Sequence, residues 1–235
     1  MKLSELFRSL SYGHLSELAI SNMGDGGIQY EKIPQVIQKI NDALKSYYTR
    51  FPLSVKTVTV ETVAGLHQYP LQRRFAQTSD SDEPIKFIKD HPGDPFTGNV
   101  LQVLGVSDDR YCPLPLNDNV KDCHWFLNGY DTLSYTDPDT FETFYIEYKA
   151  GHETIPLTEQ LESDFEIRIP EVLKPAFLCL IAGNIYLTMS IEGALIKARE
   201  LLNAYEMDCQ FHEERNTFNQ WSAQSERDIR RNGWV

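Results

Sequence analysis

The side chains best equipped for chemistry are Cys112, Cys123, His124 and His91. A thiolate beside an imidazole is the pairing of a covalent nucleophile with its base. The same residue types hold zinc when they come in pairs at turn spacing. Here one adjacent pair, Cys123–His124, stands with a single cysteine upstream and a histidine further back, so neither chemistry has its usual pattern. The four cysteines form no CxxC. Cys179 and Cys209 fall on core-facing helical positions, which makes them buried thiols rather than disulfide partners. Carboxylates are dense at Glu159, Glu162, Asp164 and Glu166. A glycosidase needs only two, but among 34 acidic residues close pairs arise by chance. HEERN at 212–216 is not a metalloprotease signature and reads as a solvated helix end. GDGG at 24–27 lacks the strand–loop–helix setting and the lysine of a phosphate-binding loop, so it reads as a turn. We assign no catalytic residue, no cofactor and no metal ligand. A small hydrolase with a carboxylate or Cys/His site in the middle of the chain is the alternative reading.

These residues are positioned by elements whose hydrophobic period changes twice. Leu3, Leu6, Phe7 and Leu10 give a short amphipathic helix ending near Gly13. Ile33, Val36, Ile37, Ile40, Leu44, Tyr47, Tyr48 and Phe51 place a second helix between Pro34 and Pro52, with its aromatic cluster in the core. The period then drops to two in VKTVTVETV (55–63). Short apolar runs at 85–88, 99–106, 123–127 and 143–150 alternate with Pro/Gly/Asn turns. Such spacing predicts a small antiparallel sheet or sandwich.

Helix returns at Ile169. Pro170 suits a first turn and Glu171 complements the helix dipole. Val172, Leu173, Ala176, Phe177, Leu180, Ile181 and Ile185 follow, and the stretch to Leu187 is apolar nearly all round, which predicts burial on every side. Beyond it Ala194, Ala198, Leu201, Leu202, Tyr205 and Cys209 form one stripe. A straight rod from 169 to 216 would reach ~70 Å at ~1.5 Å per residue. That is long for one domain, so a break near Ser190–Gly193, or packing against another chain, is expected. The apolar run is too short for a membrane span and Asn184 interrupts it.

The formal net charge is -12 and the isoelectric point about 4.9. That argues against wrapping a nucleic-acid backbone, which requires clustered Lys and Arg. The first ten residues, MKLSELFRSL, lack the features of a signal peptide, and a reducing cytosolic origin is expected. Residues 217–235 have no apolar period, yet carry Trp221, Arg227, Arg230, Arg231 and Trp234. Trp and Arg dominate interface energetics, and a segment that orders on binding can wrap a partner. The stretch is expected to be a docking arm.

The fold class is therefore α+β: a helical bundle body with an inserted antiparallel β domain and an extended arm. The expected boundaries are 1–54 for the first helices, 55–156 for the β domain, 157–216 for the C-terminal helices and 217–235 for the arm.

The sequence IPQVIQKINDALKSYYTRF, then a β insertion, then ExDFEIRIPEVLKPAF and AGNIYLTMSIEGALIKARELLNAYE, with RRNGWV at the end, resembles the head-to-tail adaptor (connector, or head-completion) proteins of short-tailed bacteriophages. The likeness covers roughly 1–52 and 157–216 and does not extend through the β insertion. It implies a structural protein, not an enzyme. Such adaptors form a ring, usually of twelve copies, beneath the portal at the head–tail junction of the virion, after assembly in the host cytoplasm. The ring joins portal to tail nozzle or tail tube and lines the DNA exit channel without sequence-specific binding. On this reading Leu195, Ala198, Leu202 and Tyr205 pack against ring neighbours, and the arm meets the portal.

Overall fold

A computed structural model describes residues 1–16, 18, 20–22, 27–118, 124–137, 141–157, 165–190 and 192–215. The fold is α+β and divides into two compact units: 1–51 with 153–235, and 52–152.

The first unit contains helices α1 (Leu3–Tyr12), α2 (Ile33–Arg50), α3 (Lys174–Tyr186) and α4 (Ala194–Glu214), with a minimal hairpin of β1 (Ser21–Asn22) and β2 (Gly27–Ile28). The start of α1 is closed by Glu5, whose carboxylate accepts the Lys2 backbone N–H at 3.0 Å. Lys2 also bridges to Glu166 antiparallel to it, and Leu3 N–H donates to the Phe165 carbonyl. In α2 the expected face is the buried one: Val36, Ile37, Ile40, Leu44, Tyr47 and Tyr48 are all in the core, as is Phe51 at the C-cap. Asn41 holds the chain at Ile155 through two reciprocal bonds, 2.9 and 3.0 Å.

The long C-terminal segment is two helices rather than one rod. Pro170 is the extended cap of a 3₁₀ turn, Glu171–Leu173, and the α-helix begins only at Lys174 with Pro175 in its first turn. In that turn Val172 faces out, 52% exposed. Helix α3 ends at Tyr186, and Gly193 in a left-handed conformation (φ 80°) sets the start of α4. The two then pack antiparallel. A Cβ on Gly183 would lie 2.9 Å from Leu202 Cγ and 3.4 Å from the Ala198 carbonyl oxygen, so the helix axes come close only because position 183 has no side chain. Phe177 on α3 and Tyr205 on α4 both meet Tyr47 of α2, at ring separations of 5.3 and 5.7 Å. The apolar circumference of α3 is thereby explained, since α2 and α4 cover it from two directions.

The second unit is built of strands β3 (Val55–Glu61), β4 (Gln68–Pro70), β5 (Ile88–Lys89), β6 (Val100–Ser107), β7 (Pro113–Leu114), β8 (Trp125–Leu127), β9 (Thr132–Tyr135) and β10 (Thr143–Ala150). Five of them form an antiparallel sheet in the order β5-β3-β10-β6-β7, and three form a second in the order β4-β9-β8. Strand β10 is central, with Phe144 opposite Val60 and Ile146 opposite both Val58 and Val106. Alternation puts Val58, Val60, Val106, Phe144 and Ile146 on one face. They pack with Tyr69, Trp125, Leu133 and Tyr135 of the smaller sheet into one core. Trp125 is the hub, 4.6 Å from the Tyr135 ring and 4.9 Å from Phe144. Strands β4 and β9 were outside the expected set, and the run expected at 85–88 pairs only from Ile88.

The loops of this unit are fastened by Asp90. Its carboxylate is almost fully buried. It accepts from Arg73 Nη1 at 2.8 Å, from the Thr78 N–H and hydroxyl at 3.2 and 2.5 Å, and from the Phe96 N–H at 3.0 Å. Burial alone would raise the Asp90 pKa, but these bonds to its charged form outweigh it and hold the group below the usual aspartate value.

Candidate interface on the helical unit

Helix α4 presents two faces with different tasks. Ala194, Ala198, Leu201 and Cys209 are buried. The Cys209 thiol donates to the Tyr47 hydroxyl at 3.9 Å, and the Tyr47 hydroxyl contacts the Leu173 carbonyl at 3.4 Å. Burial raises the pKa of the Tyr47 phenol and of the Cys209 thiol, so both stay protonated and act as core groups. Cys179 is half-buried beside His14, Sγ to Nε2 3.7 Å. Burial raises the thiol and lowers the imidazole, which is opposite to the activation of a nucleophile. Cys112, Cys179 and Cys209 are all free.

The other side of α4 is exposed and mixed, with apolar side chains standing among charged and polar ones. Ile196 is 65% exposed, Met207 71% and Phe211 45%. At about 100° per residue these three share one side of the helix with exposed Ala204 and also with exposed Glu200, Asn203 and Glu214. Leu195, 54% exposed, lies toward one side. Exposed apolar side chains are common singly, and these three, on one side of the longest helix, make it the candidate interface.

On another side of α4, Arg50 at the close of α2 ties the two helices together. Its guanidinium takes Glu206 through Nη1 and Nη2 at 2.7 and 2.9 Å and Glu213 through Nε and Nη2 at 2.6 and 2.8 Å. Two forked carboxylates on one arginine give direction as well as charge. Hydrogen bonding from Arg50 lowers the pKa of both glutamates. Glu213, expected to be part of a free, solvated helix end, is instead the outer jaw of this clamp.

Of the residues expected to pack against ring neighbours, Leu195 is exposed, while Leu202 and Tyr205 are partly covered. Ala198 is fully buried beneath α3 and offers nothing to another chain. The apolar stripe to which it belongs is the one that closes the α3–α4 pair. Ile196, Met207 and Phe211 were missed. A helix that is apolar on its buried stripe and again on part of its opposite side has a weak amphipathic signal, and only the fold tells the two apart. The arm residues Trp221, Arg227, Arg230, Arg231 and Trp234 lie outside the described residues, as do Cys123, Glu159, Glu162 and Asp164.

The chemical candidates are dispersed. His91 Nδ1 accepts the Gly93 N–H at 3.0 Å and closes a turn. His124 Nδ1 lies 3.3 Å from the Thr136 hydroxyl. Cys112 is exposed, and Glu166 is exposed, 4.0 Å from Arg168 Nε. Among the described residues no three His, Cys, Asp or Glu side chains are grouped to hold a metal. Among them, too, no helix is long and apolar enough to cross a membrane. No protein-family model matches the chain, and no curated protein matches it either.

Proposed function

We propose that this chain is a structural subunit of a phage head-to-tail adaptor. In this reading its copies stand side by side in a ring, twelve by the habit of the proteins it resembles. The ring sits beneath the portal, joins it to the tail nozzle or tube, and lets DNA pass through its lumen. The α3–α4 pair with α2 is the ring wall, the β unit is an insertion into it, and residues 217–235 are the arm that reaches the portal.

The observation that supports the reading is the three large apolar side chains exposed on the outer side of α4. Ile196, Met207 and Phe211 belong to a helix already fully packed on its other side, and ring neighbours would bury them. The acidic balance of the chain suits a channel that repels the DNA backbone.

Native mass measurement of the protein mixed with portal tests the proposal. A complex carrying a ring's worth of copies is expected, and it should be lost when residues 217–235 are deleted while circular dichroism stays unchanged. No complex at any ionic strength would overturn the adaptor reading. Full-strength docking by the truncated protein would remove the arm.

A further inference from the structure

A second surface belongs to the β unit and owes nothing to the ring. A concave pocket of 540 Å³ opens at the end of the two sheets, where the β6–β7 turn, the start of β10 and strands β8 and β9 converge. Its floor is the aromatic cluster of Trp125, Tyr135 and Phe144. One wall is Phe141, whose side chain is 78% exposed, with Leu114 also facing the space. Among the described residues the lining carries three carboxylates, Asp108, Asp109 and Glu142, with the guanidinium of Arg110 and the imidazole of His124.

The rim is held in place. Asp108 Oδ1 accepts the backbone N–H groups of Arg110 at 2.9 Å and Cys112 at 2.7 Å, which fixes the turn. Within it Tyr111 adopts φ 61°, uncommon for a non-glycine residue. Its ring stacks on Tyr145 at 4.3 Å. Glu142 is oriented by the Tyr135 hydroxyl, which donates to Oε2 at 3.2 Å. Asp109 makes no hydrogen bond or ion pair among the described residues.

We infer that this pocket receives an arginine side chain from a peptide segment of a partner protein. An apolar wall beside a carboxylate rim fits a side chain with an aliphatic stem and a cationic head. The planar guanidinium also stacks on an exposed ring and forks carboxylates, which favours arginine over lysine. The charge balance points the same way, since three carboxylates face one guanidinium and one imidazole in a chain of net charge -12. In the bound state the stem lies along Phe141 and Leu114, and the head bridges Asp109 and Glu142.

The test is an NMR titration of the full-length, isotope-labelled protein with the capped pentapeptide Gly-Gly-Arg-Gly-Gly. Saturable shifts at the amides of Leu114, Phe141 and Thr143 are expected. The citrulline analogue, equal in shape but uncharged, should bind about tenfold more weakly, and so should the Asp109→Asn/Glu142→Gln double variant toward the arginine peptide. Phe141→Ala should weaken binding by a similar factor. All three side chains are on the surface, and an unchanged thermal midpoint would show that the variants fold. Absence of saturable shifts, equal binding of the citrulline peptide, or unaltered binding by a folded double variant would each overturn the proposal. So would a peptide of residues 217–235 that takes the same amides more tightly than the arginine probe, because the pocket would then belong to this chain's own tail. None of these results depends on whether a ring forms.

Discussion

The two units solve the same problem, hiding apolar surface, in opposite ways. The β unit closes on itself. Its valines and aromatic rings meet between two sheets, and its loops are pinned by the buried Asp90 carboxylate. The helical unit is assembled from chain segments more than a hundred residues apart, and it leaves a row of large apolar side chains on α4 in the open. The exposed rings of the β unit, Tyr111, Tyr130 and Phe141, lie between strands rather than along one element. The helical unit exposes Ile196, Met207 and Phe211 along one helix, the kind of surface a partner can cover. On the proposed reading, assembly belongs to the helices and recognition of a side chain to the pocket of the β unit.

Removing Asp90 should have the largest effect on a single unit. Asp90→Ala leaves Arg73, Thr78 and the Phe96 N–H without their acceptor and should cost roughly 2–4 kcal/mol, read by denaturant unfolding of the β unit. If the cost were under about 0.5 kcal/mol, Asp90 would not be the fastening of its loops. The same carboxylate fixes a pH dependence. Its folded pKa is lowered, so its stabilisation is fully present above the unfolded value of about 4 and is lost as pH falls through the folded value. Acid unfolding of wild type should begin below about pH 4, and Asp90→Asn should flatten that dependence.

Next in size is the helix pair. Gly183→Val drives a branched side chain into Leu202 and the Ala198 carbonyl and should cost roughly 1–3 kcal/mol, despite the better helix propensity of valine. Thermal melting followed by helix circular dichroism reads it, and an unchanged midpoint would mean that α3 and α4 are not so close. Arg50→Met should be milder, roughly 0.5–2 kcal/mol, because Glu206 and Glu213 are about half exposed and water competes for them. The smallest effect on stability is expected for the triple change Ile196→Ser, Met207→Ser and Phe211→Ser, within about 0.5 kcal/mol for the isolated chain. Sedimentation should nonetheless show its self-association abolished under conditions where wild type forms rings. A soluble variant that still assembled would move the interface off α4.

Much of this architecture was legible in the sequence. Helix α2 lies within a residue of where its apolar stripe placed it, the helix break falls just before Gly193, and β3, β6 and β10 match the alternating runs. Periodic burial leaves a periodic trace. Strands β4 and β9 were not legible, because QYP contains a proline and TLSY is only four residues between two turn signals. Arg50 with its glutamates, and Arg73 with Asp90, were equally silent. A polar clamp needs one residue at each end, and partners 156 or 17 positions apart leave no pattern in the intervening chain. The apolar stripe of α4 was legible, and Ala198 within it is covered by this chain's own α3. Hydrophobicity alone does not say which of two apolar sides a chain covers for itself.

The central claim is that the helical units stand shoulder to shoulder through α4 at the junction of head and tail. A cryo-electron microscopy reconstruction of the tailed particle that carries this chain tests it most directly. The expected result is a closed ring of copies between portal and tail, with Ile196, Met207 and Phe211 covered by a neighbouring copy. A particle in which the chain lies away from that junction, or in a ring that leaves those three side chains facing water, would contradict it.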